Sequence, residues 1–138
     1  MSWFDRWFRR RPTPSLGKRG EDAAAGFLRA RGFQIIEQGR RYRFGELDLV
    51  AIDGDSIVFV EVKTRTSDDR GTPADAVDRR KRERLTRAAL AYLKSKRLLD
   101  RRTRFDVVAV VWPDPDGEPK IEHLRGAFEA AGPRGMYS

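Results

Sequence analysis

Two runs of β-forming residues, 46–52 and 56–64, stand either side of Asp53-Gly54-Asp55. A tight turn of that composition between two such strands makes an antiparallel hairpin nearly obligatory. Side chains alternate along a strand, so Glu46, Asp48 and Val50 share one face of the first run, and Phe59, Glu61 and Lys63 share one face of the second. A two-residue loop at Asp53-Gly54 sets Asp48 opposite Phe59 and diagonal to Glu61, whereas a loop at Gly54-Asp55 sets it directly opposite Glu61. Both registers bring the two acids together.

The second run is apolar on both sides, with Val58, Val60 and Val62 on one face and Ile57 and Phe59 on the face that carries Glu61. Such a strand belongs in the middle of a sheet. Neighbouring carboxylates there repel each other and lose their hydration unless a cation lies between them. The chain has no cysteine, and His123 is its single histidine. Disulfides, thiolate zinc sites, cysteine nucleophiles and histidine pairs are therefore excluded, and the oxygen donors that remain select a hard cation. Mg²⁺ is the expected ion, with Mn²⁺ as a substitute and no small-molecule cofactor. Lys63, on the acid-bearing face, is placed to approach a phosphate oxygen or an attacking water. A buried Glu61–Lys63 ion pair with Asp48 at the surface is the purely structural alternative.

Upstream, Ser15 is a candidate helix N-cap and Gly32 the stop, with Leu16, Ala23, Ala24, Phe27 and Leu28 forming the apolar stripe. Glu21 falls on or beside that stripe, an odd place for an acid unless it serves a site; a favourable position near the helix N-terminus is the plainer account. Gly17 and Gly20 predict a close approach of the same helical face to its neighbour. A strand is expected over 33–42. A second helix is expected over 73–96, with Ala74, Val77, Leu85, Ala88 and Tyr92 as its stripe and Lys81 leaning inward toward the sheet. A polar loop, 66–72, lies between. The chain closes with strands at 104–112 and 120–124 around a Pro- and Asp-rich turn, and His123 in the last strand reads as structural.

The formal net charge is +8, and twelve basic residues against two acidic ones lie between Arg79 and Arg104. This is the profile of a polyanion binder, with nucleic acid first among partners, and Arg65, Arg79, Lys81 and Arg84 are the candidate backbone contacts. No apolar run approaches the ~20 residues of a spanning helix, so a soluble cytoplasmic protein is expected. Residues 1–14 form a basic aromatic arm, with Trp3, Phe4, Trp7 and Phe8 at helical spacing. On that pattern the arm suits contact with a membrane through residues 1–11, stacking on a nucleic-acid strand or docking on the chain's own domain, and a self-docked or frayed terminus is the plainer reading.

Three groups of residues coincide with a known pattern: Gly45-Glu-Leu-Asp-Leu-Val50 followed by Phe59-Val-Glu-Val-Lys-Thr-Arg65; Gly17-x-x-Gly20-Glu21-Asp22-x-Ala24; and Ala76-Val77-Asp78 with Lys81, ahead of Phe105-Asp106-Val107-Val108. The set resembles the PD-(D/E)xK, or restriction-endonuclease-like, nuclease superfamily. More narrowly, it is similar to the YraN-like bacterial family, related to archaeal Holliday junction resolvases. The resemblance implies that Asp48 and Glu61 are metal ligands and Lys63 the catalytic lysine. It also implies that Glu21 completes the site from the first helix and that Glu46 is a further ligand or an outer group. Leu47 stands where the motif's proline would be. DNA, branched or otherwise structured, and a homodimer are likewise implied.

The expected fold is α/β: a restriction-endonuclease-like mixed sheet of about five strands flanked by helices, with an arm at 1–14, one domain at 15–131 and a loose tail at 132–138. The expected function is metal-dependent endonucleolytic cleavage of DNA. A non-catalytic nucleic-acid-binding module on the same fold, and an accessory protein docked on a membrane or partner, are the alternatives.

Overall fold

Ser15 starts the first helix by accepting, on its Oγ, the free backbone N–H of Lys18 at 3.2 Å. Helix α1 then runs Leu16–Ala30 and ends before Gly32, whose φ of 93° suits only glycine at low cost. The computed structural model describes residues 15–43, 45–66 and 78–130. The arm at 1–14, most of the expected loop at 66–72, Ala74, Val77 and the tail at 132–138 lie outside the described residues.

The strands follow as β1 (Gln34–Tyr42), β2 (Gly45–Asp53) and β3 (Ser56–Arg65), then helix α2 (Arg79–Ser95), β4 (Arg102–Val111) and β5 (Lys120–Phe128). They form one sheet in the order β1-β2-β3-β4-β5, with β3 and β4 parallel and the other pairs antiparallel. The architecture is α/β, a mixed five-stranded sheet flanked by two helices. β3 is the middle strand, as its two apolar faces require. Asp53 pairs with Ser56 and Leu49 with Val60, so Gly54-Asp55 is the two-residue loop and the register is the one that sets Asp48 against Glu61.

Each helix covers one face. Ala24, Ala25 and Leu28 of α1 pack with Leu49, Ala51, Val58, Val60, Val108 and Val110. Leu85, Ala88, Ala89, Tyr92 and Leu93 of α2 pack with Val50, Ile57, Phe59, Phe105 and Val107 on the other side. Gly20 sits so close to β3 that a Cβ there would overlap the Thr64 hydroxyl, whereas Gly17 has no such neighbour. The close approach expected of both glycines therefore holds only at Gly20. Leu16, expected in the buried stripe, is 38% exposed.

Helix α2 begins later than the apolar periodicity predicts. Asp78 is extended, with φ −75° and ψ 175°, and its Oδ1 accepts the Lys81 N–H at 2.9 Å. An aspartate that takes a backbone amide in this way favours a cap over a helix interior. Lys81 is thus fixed in the first turn. The last strand is longer than expected because a bulge carries it past Leu124: Val107 faces Leu124 while Phe105 faces Phe128. Gly126, at φ 58°, makes that bulge and donates its N–H to Asp106 Oδ1 at 2.9 Å.

Among the described residues no helix is long and apolar enough to cross a membrane.

Candidate functional site

The β2–β3 ladder runs from the hairpin turn only as far as Leu49↔Val60. Beyond that pair the strands part, and the N–H of Val62 is taken by the Asp48 side chain, with Oδ2 accepting at 2.9 Å. Leu47 packs on the α2 side while Leu49 packs on the α1 side. Residues two apart in a regular strand share a face, so β2 turns about its own axis at Asp48. A fork results, open to both faces of the sheet. Side chains from helices on opposite faces can meet there.

They do meet. One opening of the fork is lined by Glu21, Asp48, Glu61, Lys63 and Lys81, with Leu16 and Gly17 at its rim. The other is lined by Glu46, Asp48, Glu61, Lys81 and Arg84. Asp48, Glu61 and Lys81 belong to both. Glu21, Glu46 and Asp48 each offer a carboxylate oxygen within 4.8 Å of the other two. Glu61, with its side chain 7% exposed, is in contact with the Lys81 ammonium.

The electrostatics of the fork are those of acids crowded together without enough positive charge. Burial pushes the Asp48 carboxyl up to about 8, and the Glu61 charge adds to the effect, against the Val62 N–H that lowers it. Glu21 is raised as well, by burial first and then by Glu46. Like-charged carboxylates thus contribute to both shifts, Glu61 at Asp48 and Glu46 at Glu21. The lysines divide in the same manner. Burial works against the charge of Lys81, but Glu61 outweighs it and raises the group, whereas Lys63 is lowered by burial and then by Lys81.

An oxygen-only donor set at this spacing fits a hard divalent cation. The raised carboxyls of Asp48 and Glu21 mark where positive charge is missing.

Of the residues singled out from sequence, the structure gathers Glu21, Glu46, Asp48, Glu61, Lys63, Lys81 and Arg84 around the fork. Asp48, Glu61 and Glu46 were the expected metal group; the acids within 4.8 Å of one another are Glu21, Glu46 and Asp48, and Glu61 lines both openings beside Asp48, paired with Lys81. Arg79 lies apart, exposed and paired with Glu83 at 3.2 Å. Arg65 ends β3, where its carbonyl accepts the Trp112 N–H at 2.9 Å. Sequence reasoning missed Arg41, which reaches Glu46 at 3.6 Å. Their pairing across the β1–β2 turn gives the signal, but only once that register is known.

The model of the uncharacterised protein family UPF0102 matches residues 20–110, which takes in the fork, α2 and most of α1. The chain belongs to that family. It is 50% identical over 125 residues to a UPF0102 protein of Rhodopirellula baltica, covering 88% of this chain and 75% of the relative. A UPF0102 protein of Geobacter sulfurreducens is 48% identical over 116 residues, covering 84% and 90%. One of Syntrophus aciditrophicus is 48% identical over 124 residues, covering 90% and 96%.

Proposed function

We propose that the fork is the active site of a divalent-metal-dependent endonuclease, hydrolysing phosphodiester bonds in DNA in the cytoplasm, with Mg²⁺ as the ion and Mn²⁺ able to replace it. The observation that carries this reading is the convergence of Glu21, Glu46 and Asp48 within 4.8 Å of one another, beside Glu61, Lys63 and Lys81 in the same opening. Glu21, Glu46 and Asp48 would hold the ion. When bound, it would supply a Lewis acid for a phosphoryl oxygen.

The chain's own residues do the rest. Asp48 is fixed by the Val62 N–H, so its second oxygen is oriented without cost at the time of reaction. The Lys63 amino group lines the opening next to the acids, where it can orient a water for in-line attack or offset negative charge growing on the phosphate. Arg84 and Lys81 line the second opening and can draw the backbone in. That cavity, about 330 Å³, is room for an ion with its waters and one phosphate group, given the ~30 Å³ share of a water. It is too small for a base pair, so the reading is one of backbone contact without base readout. The resemblance to junction resolvases favours branched DNA and a dimeric enzyme.

The test is incubation with linear, single-stranded and four-way-junction DNA in Mg²⁺ or Mn²⁺, comparing wild type with Asp48→Ala and Lys63→Ala. Metal-dependent cleavage lost in both variants is expected. Cleavage that survives both substitutions would overturn the mechanism, and DNA binding with no cleavage would mark a non-catalytic binding module.

A further inference from the structure

Glu61 differs from the other acids of the fork in having a resident counter-ion. The Lys81 ammonium sits on its carboxylate, the two side chains being 26% and 7% exposed, and Lys63 lines the same opening. The placement is built in at the backbone, since the Asp78 cap takes the Lys81 N–H at 2.9 Å and so fixes the first turn of α2 against the sheet. The three acids that crowd together exclude Glu61. The fork therefore has two places for positive charge. One lies among Glu21, Glu46 and Asp48; the other lies at Glu61, beside Asp48, and is filled by an amine of the chain itself.

We propose that Lys81 is a built-in cation that limits the fork to a single divalent ion. The ion is held among Glu21, Glu46 and Asp48, and a second ion enters between Asp48 and Glu61 only when the Lys81 charge is removed. This rests on the metal-site reading above and adds to it the number of ions and the residue that sets that number. Charge balance supports it. Four carboxylates face two lysines, so one divalent ion brings the ionised cluster to neutrality. A second would leave it doubly positive in a half-buried place, where excess charge is costly. Arg84, which also lines one opening, is exposed, and Arg41, next to Glu46, is 84% exposed; water screens both, so neither changes that balance much.

The experiment is a Mn²⁺ titration of the full chain, free ion being followed by its electron paramagnetic resonance signal, with no DNA and no turnover required. Wild type is expected to bind close to one equivalent and Lys81→Met close to two, the second more weakly. Lys81→Arg, which keeps a cation in place, is expected to bind one. Lys81→Met combined with Glu61→Gln should return to one, because half of the second position is then gone. Two equivalents on wild type, or one on a folded Lys81→Met, overturns the proposal while leaving the metal site standing. No binding by wild type removes the metal site and the proposal together. Should Lys81→Met not fold, the wild-type stoichiometry still decides, since two equivalents refutes the single-ion limit and one supports it.

Discussion

Two acid clusters sit in the same sheet, one half-buried and one fully buried, and their environments are opposite. At the fork, Asp48 has one backbone N–H and several acidic neighbours, and its carboxyl is pushed up to about 8. Asp106, fully buried in β4, is surrounded by donors. Arg104 gives two bonds, at 2.9 and 3.1 Å, His123 Nε2 lies at 2.8 Å and the Gly126 N–H at 2.9 Å. Burial alone would raise Asp106, but Arg104, Gly126 and His123 outweigh it and hold the carboxyl below its ordinary value. Arg104 is anchored in turn by Asp53 at 2.9 Å. The lesson is that a buried acid ringed by donors is part of the framework, whereas acids raised by burial and by one another are ones that a cation would stabilise.

The largest expected effect separates the two clusters by activity. Asp48→Ala should slow metal-dependent DNA cleavage by on the order of 10³-fold, as read in single-turnover assays, while the protein still unfolds cooperatively. A drop in stability to match would break the distinction.

Next comes stability at the other cluster. Asp106→Asn should cost about 3 kcal/mol in urea unfolding, because Arg104 and His123 lose a buried charged partner. Its pH dependence sharpens the point. The folded Asp106 carboxyl is held below its unfolded value, so its contribution is full above the unfolded value and is lost as pH falls through the folded one. Acidification below about pH 4 should therefore erode wild-type stability more steeply than that of Asp106→Asn.

The third effect has the opposite sign. In metal-free protein Asp48→Asn should raise stability by about 1–2 kcal/mol at pH 8. The folded carboxyl is raised above its unfolded value, so the wild type loses stability as pH climbs through that interval. Asparagine still accepts the Val62 N–H but carries no charge to lose its hydration.

The smallest effect concerns the rim. Arg84→Ala should reduce the slope of log affinity against log salt by about one for DNA measured in EDTA, as one lost phosphate contact does. Arg79→Ala, whose side chain is paired with Glu83 away from the openings, should leave that slope unchanged.

The contrast between the clusters also explains what the sequence discloses. The hairpin, the central strand and the meeting of Asp48 with Glu61 are local consequences of alternation and of one turn, so they are legible. Glu21 is legible as an acid on a core-facing stripe. The fork itself is not, because the alternation of residues 46–50 continues with no mark where β2 leaves the ladder. Without it, Glu46 and Glu21 have no reason to meet. The Asp106 cluster is hidden for another cause: Asp53, Asp106, His123 and Gly126 are joined by contacts across distant strands and a bulge. The late start of α2 follows from Asp78 taking a cap position that apolar periodicity does not register.

The most direct test of the unfinished cluster is thermal unfolding of wild type and Asp48→Asn at pH 8, with and without Mn²⁺. Mn²⁺ is expected to raise the wild-type transition clearly and to leave the transition of Asp48→Asn nearly where it was, reversing the order seen without metal. Equal shifts in both proteins, or none in either, would contradict the claim that Asp48 and its neighbours are acids waiting for a cation.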